Sequence, residues 1–280
     1  MILNINDIIY IIKMILEFTS NPIILIDTSY YVFYRYFATN RWFSFQNKEF
    51  NTEDIIENKE FTGSFIKHFE SDLKKITKKW KTVPQNIVFC LDCQRCNIWR
   101  NDIYEQYKGN RVQNMNFNNK IFTFFIDHLS MTDLKVVHFD RLEADDVIFL
   151  IQDKLKQVSI NNIIIISNDN DYLQIVSDRT TIVNMQFKDI TLRGNKDGKV
   201  NLYHKAIFGD KSDNINKIAS YITKEKSIEL SKMNYENIIK WLEQHNLIEK
   251  FNNNMLLICF ENIPKEISNN FYENLQISIQ

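Results

Sequence analysis

The feature that most constrains this chain is a set of four short apolar runs, each of which hands over to acid. Ile23-Ile24-Leu25-Ile26 is followed by Asp27, Ile87-Val88-Phe89-Cys90-Leu91 by Asp92, and Ile163-Ile164-Ile165-Ile166 by Asp169 and Asp171. Val136-Val137-His138-Phe139 leads into Leu142-Glu143-Ala144-Asp145-Asp146, with three carboxylates in four residues. Short continuous apolar runs bounded by polar residues are the pattern of strands buried on both faces. Between them lies helical spacing: Phe65, Ile66, Phe69, Leu73 and Ile76 within 61–80, a stretch over 121–129, and Val147, Leu150, Ile151 and Leu155 within 143–158. Thr28 and Ser29 offer caps to a further helix carrying Tyr30, Tyr31, Phe33, Tyr34 and Tyr36. Strands alternating with helices predict an α/β fold, a central, mostly parallel sheet with helices on both faces. Residues 182–187 are expected to add a fifth strand before a turn at 193–198, and 40–59 an irregular excursion.

From about residue 201 the pattern becomes mainly helical, which predicts a smaller C-terminal region over 201–280 beside a core over 22–200. Residues 1–21 are expected to form a helical extension, because 8–18 is apolar except for Tyr10, Lys13 and Glu17. That run is too short to span a bilayer and lacks a basic leader, so no membrane association is expected. The 280 residues, 44% hydrophobic, suffice for a sizeable core, and a net charge of -1 supplies no global attraction to nucleic acid or membrane. Any such affinity must come from a local basic face. Cys90, Cys93 and Cys96 have a spacing that suggests zinc, but no second paired cluster completes four ligands. With Cys259 they read as reduced thiols, which places the protein in a reducing intracellular compartment, cytoplasm or nucleus.

In an open α/β sheet ligands bind outside the carboxyl ends of the strands, where Asp27, Asp92, Glu143, Asp145, Asp146, Asp169 and Asp171 all fall. Carboxylates crowded into one pocket raise each other's pKa unless cations neutralise them, and oxygen-only ligands suit Mg²⁺ or Mn²⁺. Two such ions clamp the attacking and leaving oxygens of a phosphoryl displacement. A single Asp after a strand is more often a turn or cap residue; four strands that end this way point to one site. No Gly-rich phosphate loop is present, which disfavours nucleoside triphosphate hydrolysis.

The motifs Ile26-Asp27-Thr28-Ser29, Leu91-Asp92, Tyr107-Lys108-Gly109-Asn110-Arg111, Glu143-Ala144-Asp145-Asp146, Ser167-Asn168-Asp169-Asn170-Asp171 and Gly209-Asp210-Lys211-Ser212-Asp213-Asn214-Ile215 occur in an order that resembles the 5′-nuclease family. That family includes flap endonucleases, phage 5′-3′ exonucleases and ribonuclease H enzymes, and the 5′-nuclease domain of bacterial DNA polymerase I. The resemblance covers roughly residues 22 to 220 and implies a PIN-like core. It adds Asp210 and Asp213 to the acidic set. It implies one metal near Asp27, Asp92, Glu143 and Asp145 or Asp146, and a second held by Asp169, Asp171 and Asp213. Lys108 and Arg111 match basic residues that face the scissile phosphate, while Tyr107 and Tyr31 would stack on bases and Arg35, Lys211 and Lys217 would contact nucleic acid. Tyr31 reads equally well as a core residue.

Two departures from the family pattern stand out. Residues 111–121 are short and poor in basic residues, which argues against a long, positively charged arch. After Asp213 the chain reads Asn214-Ile215-Asn216-Lys217-Ile218-Ala219-Ser220-Tyr221, without the glycines of the family's potassium-binding helix-hairpin-helix. Lys211, Lys217, Lys224 and Lys226 remain available to phosphate, and no clamp-binding tail is evident in 274–280. The resemblance implies a monomeric nuclease dependent on two Mg²⁺ (or Mn²⁺). Its substrate would be DNA with a 5′ single-stranded end or flap, or an RNA primer on DNA, cut at or near the single-strand/duplex junction in replication or repair. The alternatives are a PIN-like single-strand ribonuclease and a nuclease-like module that binds DNA without cutting.

Overall fold

In a computed structural model of the chain, residues 14–19, 22–46, 55–111, 117–159 and 161–279 are described. The expected sheet is present, with five parallel strands: β2 (Ile23–Asp27), β3 (Ile87–Cys90), β4 (Lys135–Val137), β5 (Ile163–Ile166) and β6 (Thr180–Val183). Their spatial order is β4-β3-β2-β5-β6. Ile24 pairs with Ile87 on one side of β2 and with Ile164 on the other. The chain therefore winds outward from β2 through β3 to β4, then crosses back to β5. This reversal makes the carboxyl end of β2 the topological switch point, where Asp27 sits.

The central strands β2, β3 and β5 are apolar, save for the closing Asp27, because both of their faces are covered. On one face Ile24, Ile26, Ile87, Phe89, Ile164 and Ile166 meet α1 (Thr28–Phe45), α2 (Lys59–Trp80) and α3 (Lys120–Ser130) in an aromatic-rich cluster. On the other, Ile23, Leu25, Val88, Cys90, Ile163 and Ile165 pack on α4 (Ala144–Val158). Full burial of each such side chain contributes roughly 1.5–3 kcal/mol before entropy is counted. Cys90, Cys93 and Cys259 are buried free thiols, and burial raises the pKa of each.

After β6 come α5 (Gly198–Phe208), α6 (Lys224–Ser231), α7 (Tyr235–Gln244) and α8 (Ile248–Ile258), which enclose their own apolar cluster from Ala206 to Phe251. The chain then returns to the sheet. Phe260, Ile263, Ile267, Phe271 and Leu275, on and around α9 (Lys265–Asn274), join the core beneath α4. The stretch expected as one C-terminal region thus packs in two places.

The N-terminal extension differs from the helix expected there. Met14–Phe18 is a strand, β1, paired in parallel with β7 (Leu275–Ile279), and the first thirteen residues lie outside the described set. Leu16 and Phe18 point inward while Ile15 and Glu17 point out, a period of two that overrides the apolar content. The excursion expected at 40–59 begins later, since α1 runs to Phe45, and 47–54 are outside the described residues. β6 starts two residues earlier than expected and stops at Val183, after which Asn184 begins a turn that ends at Phe187 with φ 60. Among the described residues no helix is long and apolar enough to cross a membrane.

Candidate active site

Each strand end delivers its acid by a local device. Asp27 closes β2 and caps α1, with Oδ1 accepting from Tyr30 N at 3.0 Å. Its Oδ2 accepts from Ser167 Oγ at 3.0 Å and Tyr172 OH at 3.3 Å. Burial, then the charge of Asp92, pushes the Asp27 carboxyl up to about 6. Asp92, beyond β3, accepts from the backbone N–H of Ala144 at 2.8 Å, at the positive end of α4, and from Ser29 Oγ. Glu143 is the N-cap of α4 and forms a capping box with Asp146. Asp169 caps the 3₁₀ turn Asn170–Ile175 that carries Asp171.

Two acidic groups result. Ligand oxygens of Glu143, Asp145 and Asp146 lie within 4.8 Å of one another, as do those of Asp171, Asp210 and Asp213. The second group forms because Gly209, at φ 76, turns the chain after α5 into an antiparallel bridge between Asp210 and Ile215. The segment of Lys108 docks on that turn: Lys108 N donates to Asp213 O at 3.0 Å and Arg111 Nη2 to Asp213 Oδ1 at 2.7 Å. Lys108 Nζ bonds Glu143 Oε1 and lies 3.9 Å from Asp213, bridging the two groups. Lys205 plays the corresponding part in the second group, bonding Asp171 and Asp210.

The electrostatics separate the acids. Burial raises Glu143 and Asp210, but Lys108 with Arg100, and Lys205, outweigh it and leave both below the usual carboxylate range. Asp145 is different. It is pushed well up by burial and by Asp146 and Glu143, and among the described residues its side chain accepts only from Asp146 N, at 2.8 Å. Burial, then Asp171, pushes Asp169 up to about 7, and burial raises Asp213 as well. These acids have more negative charge than the two lysines neutralise. All-carboxylate oxygen donors in that condition fit a hard divalent cation.

Several expected roles change. The oxygens of Asp146 also accept from Arg100, bidentate at 2.7 Å each, from Trp99 Nε1 at 2.9 Å and from Glu143 N at 3.2 Å, so within its ligand group it braces Glu143 as well. Tyr31 is buried against Phe69, Phe89 and Phe125, with its hydroxyl on Asp72, so it is a core residue and cannot stack on a base. Arg35 is also buried, in an ion pair with Asp72 that ties α1 to α2. Tyr107 is 5% exposed and donates to Glu143 Oε2 at 2.9 Å and Asp213 Oδ2 at 3.3 Å, orienting acids from beneath. Lys211 is exposed beside the site, and Lys217 Nζ donates to the carbonyl of Ile222 at 3.1 Å. Residues 112–116 of the segment expected to replace an arch are outside the described set. Arg100, Lys205, Tyr172 and Ser167 are the site residues that sequence reasoning missed. Arg100, Tyr172 and Ser167 reach Glu143 and Asp27 across 43, 145 and 140 residues, and Lys205 reaches Asp171 across 34 besides its neighbour Asp210.

Carboxylates massed at the switch point of a doubly wound parallel sheet make a site of the class that holds divalent cations. The chain belongs to the 5′-3′ exonuclease family: residues 22–205 match the family model for the 5′-3′ exonuclease N-terminal resolvase-like domain. It is 27% identical over 203 residues to a 5′-3′ exonuclease of Buchnera aphidicola subsp. Schizaphis graminum, covering 69% of this chain and 64% of that one. It is 30% identical over 239 residues to a 5′-3′ exonuclease of Mycoplasmopsis pulmonis, covering 82% of this chain and 73% of the relative. The fold is shared with the bacteriophage T5 flap endonuclease solved in a pseudo-enzyme–product complex with DNA and metal ions. That match has a TM-score of 0.62 at 15% identity, over 90% of this chain and 97% of that one.

Proposed function

We propose that this protein is a divalent-metal-dependent 5′-nuclease that hydrolyses phosphodiester bonds of DNA at or near junctions between single strand and duplex. The observation that carries the reading is the pair of three-carboxylate groups bridged by Lys108 at the carboxyl end of a parallel sheet. Family membership supports the 5′ polarity and the DNA substrate.

Glu143 and Asp145, with Asp27 and Asp92 beside them, would hold one Mg²⁺ or Mn²⁺, and Asp171, Asp210 and Asp213, with Asp169, a second. Bound there, the ions supply a nucleophilic water at neutral pH and neutralise charge on the phosphate oxygens. Asp27, raised to about 6, gains a reason to stay ionised when a cation is present. Lys108 is held protonated because the charges of Glu143 and Asp213 overcome the cost of its burial. It can therefore stabilise negative charge that builds on the scissile phosphate. Arg111 does the same from the rim, where its side chain is 48% exposed. Tyr107 and Arg100 keep Glu143 oriented from below. The net charge of -1 leaves nucleic-acid affinity to this local face.

The test is cleavage of end-labelled 5′-flap duplex beside single-stranded DNA, single-stranded RNA and an RNA–DNA hybrid, with Mg²⁺, Mn²⁺ or EDTA. Cutting at the flap base that EDTA abolishes is expected, with a loss of at least about 100-fold in Asp145→Asn and Asp171→Asn. Cleavage of RNA alone would transfer the protein to the ribonuclease reading. Binding without cutting would make it a DNA-holding module.

A further inference from the structure

The two acidic groups sit on segments that do not follow one another in the chain, and like charges drive them apart. One feature touches the supports of both: the C-terminal turn of α8. The carbonyl of Leu257 accepts from Arg100 Nε at 2.8 Å, and the same guanidinium binds Glu143 and Asp146. One residue on, the carbonyl of Ile258 accepts from Gln174 Nε2 at 3.1 Å, and Phe260 N donates to Gln174 Oε1, also at 3.1 Å. The Gln174 amide donates in addition to the carbonyl of Asp171 at 3.1 Å. Further back on α8, Asn254 Nδ2 donates to Ala206 O and Asn216 O, each at 2.8 Å, and so grips the ends of the turn that bears Asp210 and Asp213. Leu257 and Ile258 pack with Cys93, Ile98, Tyr107 and Ile215 directly below the acids.

A helix end suits this purpose. Its last carbonyls have no partner within the helix and carry the negative end of the dipole, so they accept readily from a guanidinium and an amide. Gln174 spends both faces of its amide on the arrangement, two bonds given and one received. Metal ligands need placement to within roughly half an ångström, which depends on the groups that hold them.

We propose that the end of α8 and the residues just beyond it, Leu257–Phe260, form a bracket that sets the spacing of the two carboxylate groups, with Gln174 and Arg100 as its positioning residues. The proposal rests on the reading that these groups hold divalent cations. Gln174 is the better probe, because removing Arg100 would strand buried acid.

The experiment is Mn²⁺ titration of the full chain by calorimetry, with thermal unfolding in EDTA and steady-state cleavage of a 5′-flap duplex. The variants are Gln174→Met, which keeps the bulk and removes the amide, Gln174→Ala, and Phe61→Leu as a core control on α2. Expected in both Gln174 variants is Mn²⁺ binding weaker by about tenfold. The turnover number should fall while KM for the flap stays within about twofold. Phe61→Leu, even if less stable in EDTA, should bind Mn²⁺ as the parent does. An unchanged Mn²⁺ isotherm in the Gln174 variants, or equal weakening in Phe61→Leu, overturns the bracket. A parent protein that takes up no Mn²⁺ overturns this proposal and the metal reading together, whereas parent binding with unaltered variants overturns this one alone.

Discussion

Asp27 shows how one residue can serve structure and site at a cost to one of them. It caps α1 and accepts from Ser167 and Tyr172, yet burial and Asp92 push its pKa up to about 6. In the unfolded chain an aspartate titrates near 3.9. The folded, metal-free protein therefore binds a proton that the unfolded chain does not between about pH 4 and pH 6. The stability tied to that proton is fully present below pH 4 and lost as the pH rises through 6. Asp27→Asn keeps the cap and removes the titration. Thermal unfolding in EDTA should find the variant more stable than the parent at pH 8, by on the order of 2 kcal/mol, with the gap closing toward pH 4.5. The histidines whose pKa burial lowers, His68, His138 and His204, act oppositely but cancel in the difference. A gap independent of pH would show that the ionised carboxylate is not under strain. Lys205 tells the complementary story, because its ammonium stands between Asp171 and Asp210. Lys205→Met should cost about 3 kcal/mol without metal, and Mn²⁺ should raise its melting temperature more than the parent's, since the cation then replaces the missing charge. Equal Mn²⁺ shifts in the two proteins would count against a metal at that group. Seven of the acids were legible because they follow apolar runs, whereas Asp210 and Asp213, on a turn after a helix, were found only through the family resemblance. Arg100 was not, since nothing local links it to Glu143, 43 residues away. Lys205 was not, because Asp210 nearby does not by itself distinguish it from a solvated helix lysine and its other partner, Asp171, lies 34 residues back. Arg35 was misread and Tyr31 left open between base stacking and core, although a signal existed: residues 28, 31, 32, 35, 36, 39 and 43 are the buried stripe of α1, and both lie on it.

At the scale of elements, sequence reading did best where burial on two faces writes a continuous apolar run, and less well where pairing is remote. The parallel strands β2, β3 and β5 were found from their runs alone. β1 was not, since its partner is the last strand of the chain and its five residues carry too little alternation to outweigh their apolar content. The turn between α5 and α6 shows a different limit. Its glycine-free stretch was apparent; the one position in 214–221 with positive φ is Asn214, at φ 62, where asparagine tolerates the left-handed region without a glycine. The one glycine of this turn is Gly209, at φ 76, where a Cβ would lie 2.5 Å from Ile215 O, Asn216 C and Lys217 N. Gly209→Ala therefore faces strain in the backbone and a collision with it. Urea unfolding should show a loss of at least about 2 kcal/mol, with weaker Mn²⁺ binding because Asp210 and Asp213 hang from this turn. A stability within about 0.5 kcal/mol of the parent would mean that the turn relaxes freely.

At the scale of the whole molecule, the question is whether the sheet body and the helical body unfold together. Their apolar clusters are separate: Phe251 is buried among residues 206–251, whereas Phe271 is buried beneath the sheet, 5.2 Å from the Phe139 ring. At the end of α8 they are joined by polar groups, through Arg100 and Gln174, and by Leu257 and Ile258 packed with Cys93, Ile98 and Tyr107. The chain also leaves the sheet body at β6 and re-enters it at Phe260, so the helical body is an insertion anchored at both ends. An insertion held in this way cannot lose α8 without releasing the supports of both acidic groups. Phe251→Ala and Phe271→Ala, each costing about 3–5 kcal/mol, should therefore displace one shared urea transition rather than split it. The four tryptophans allow the test, since Trp99 reports the sheet body and Trp241 the helical one. Single-tryptophan versions that keep one or the other, with the rest changed to Phe, should give coincident midpoints in each alanine variant. Midpoints that separate in Phe251→Ala would mean that the helical body melts alone. The α8 bracket would then form only after the sheet body has already set the acids in place.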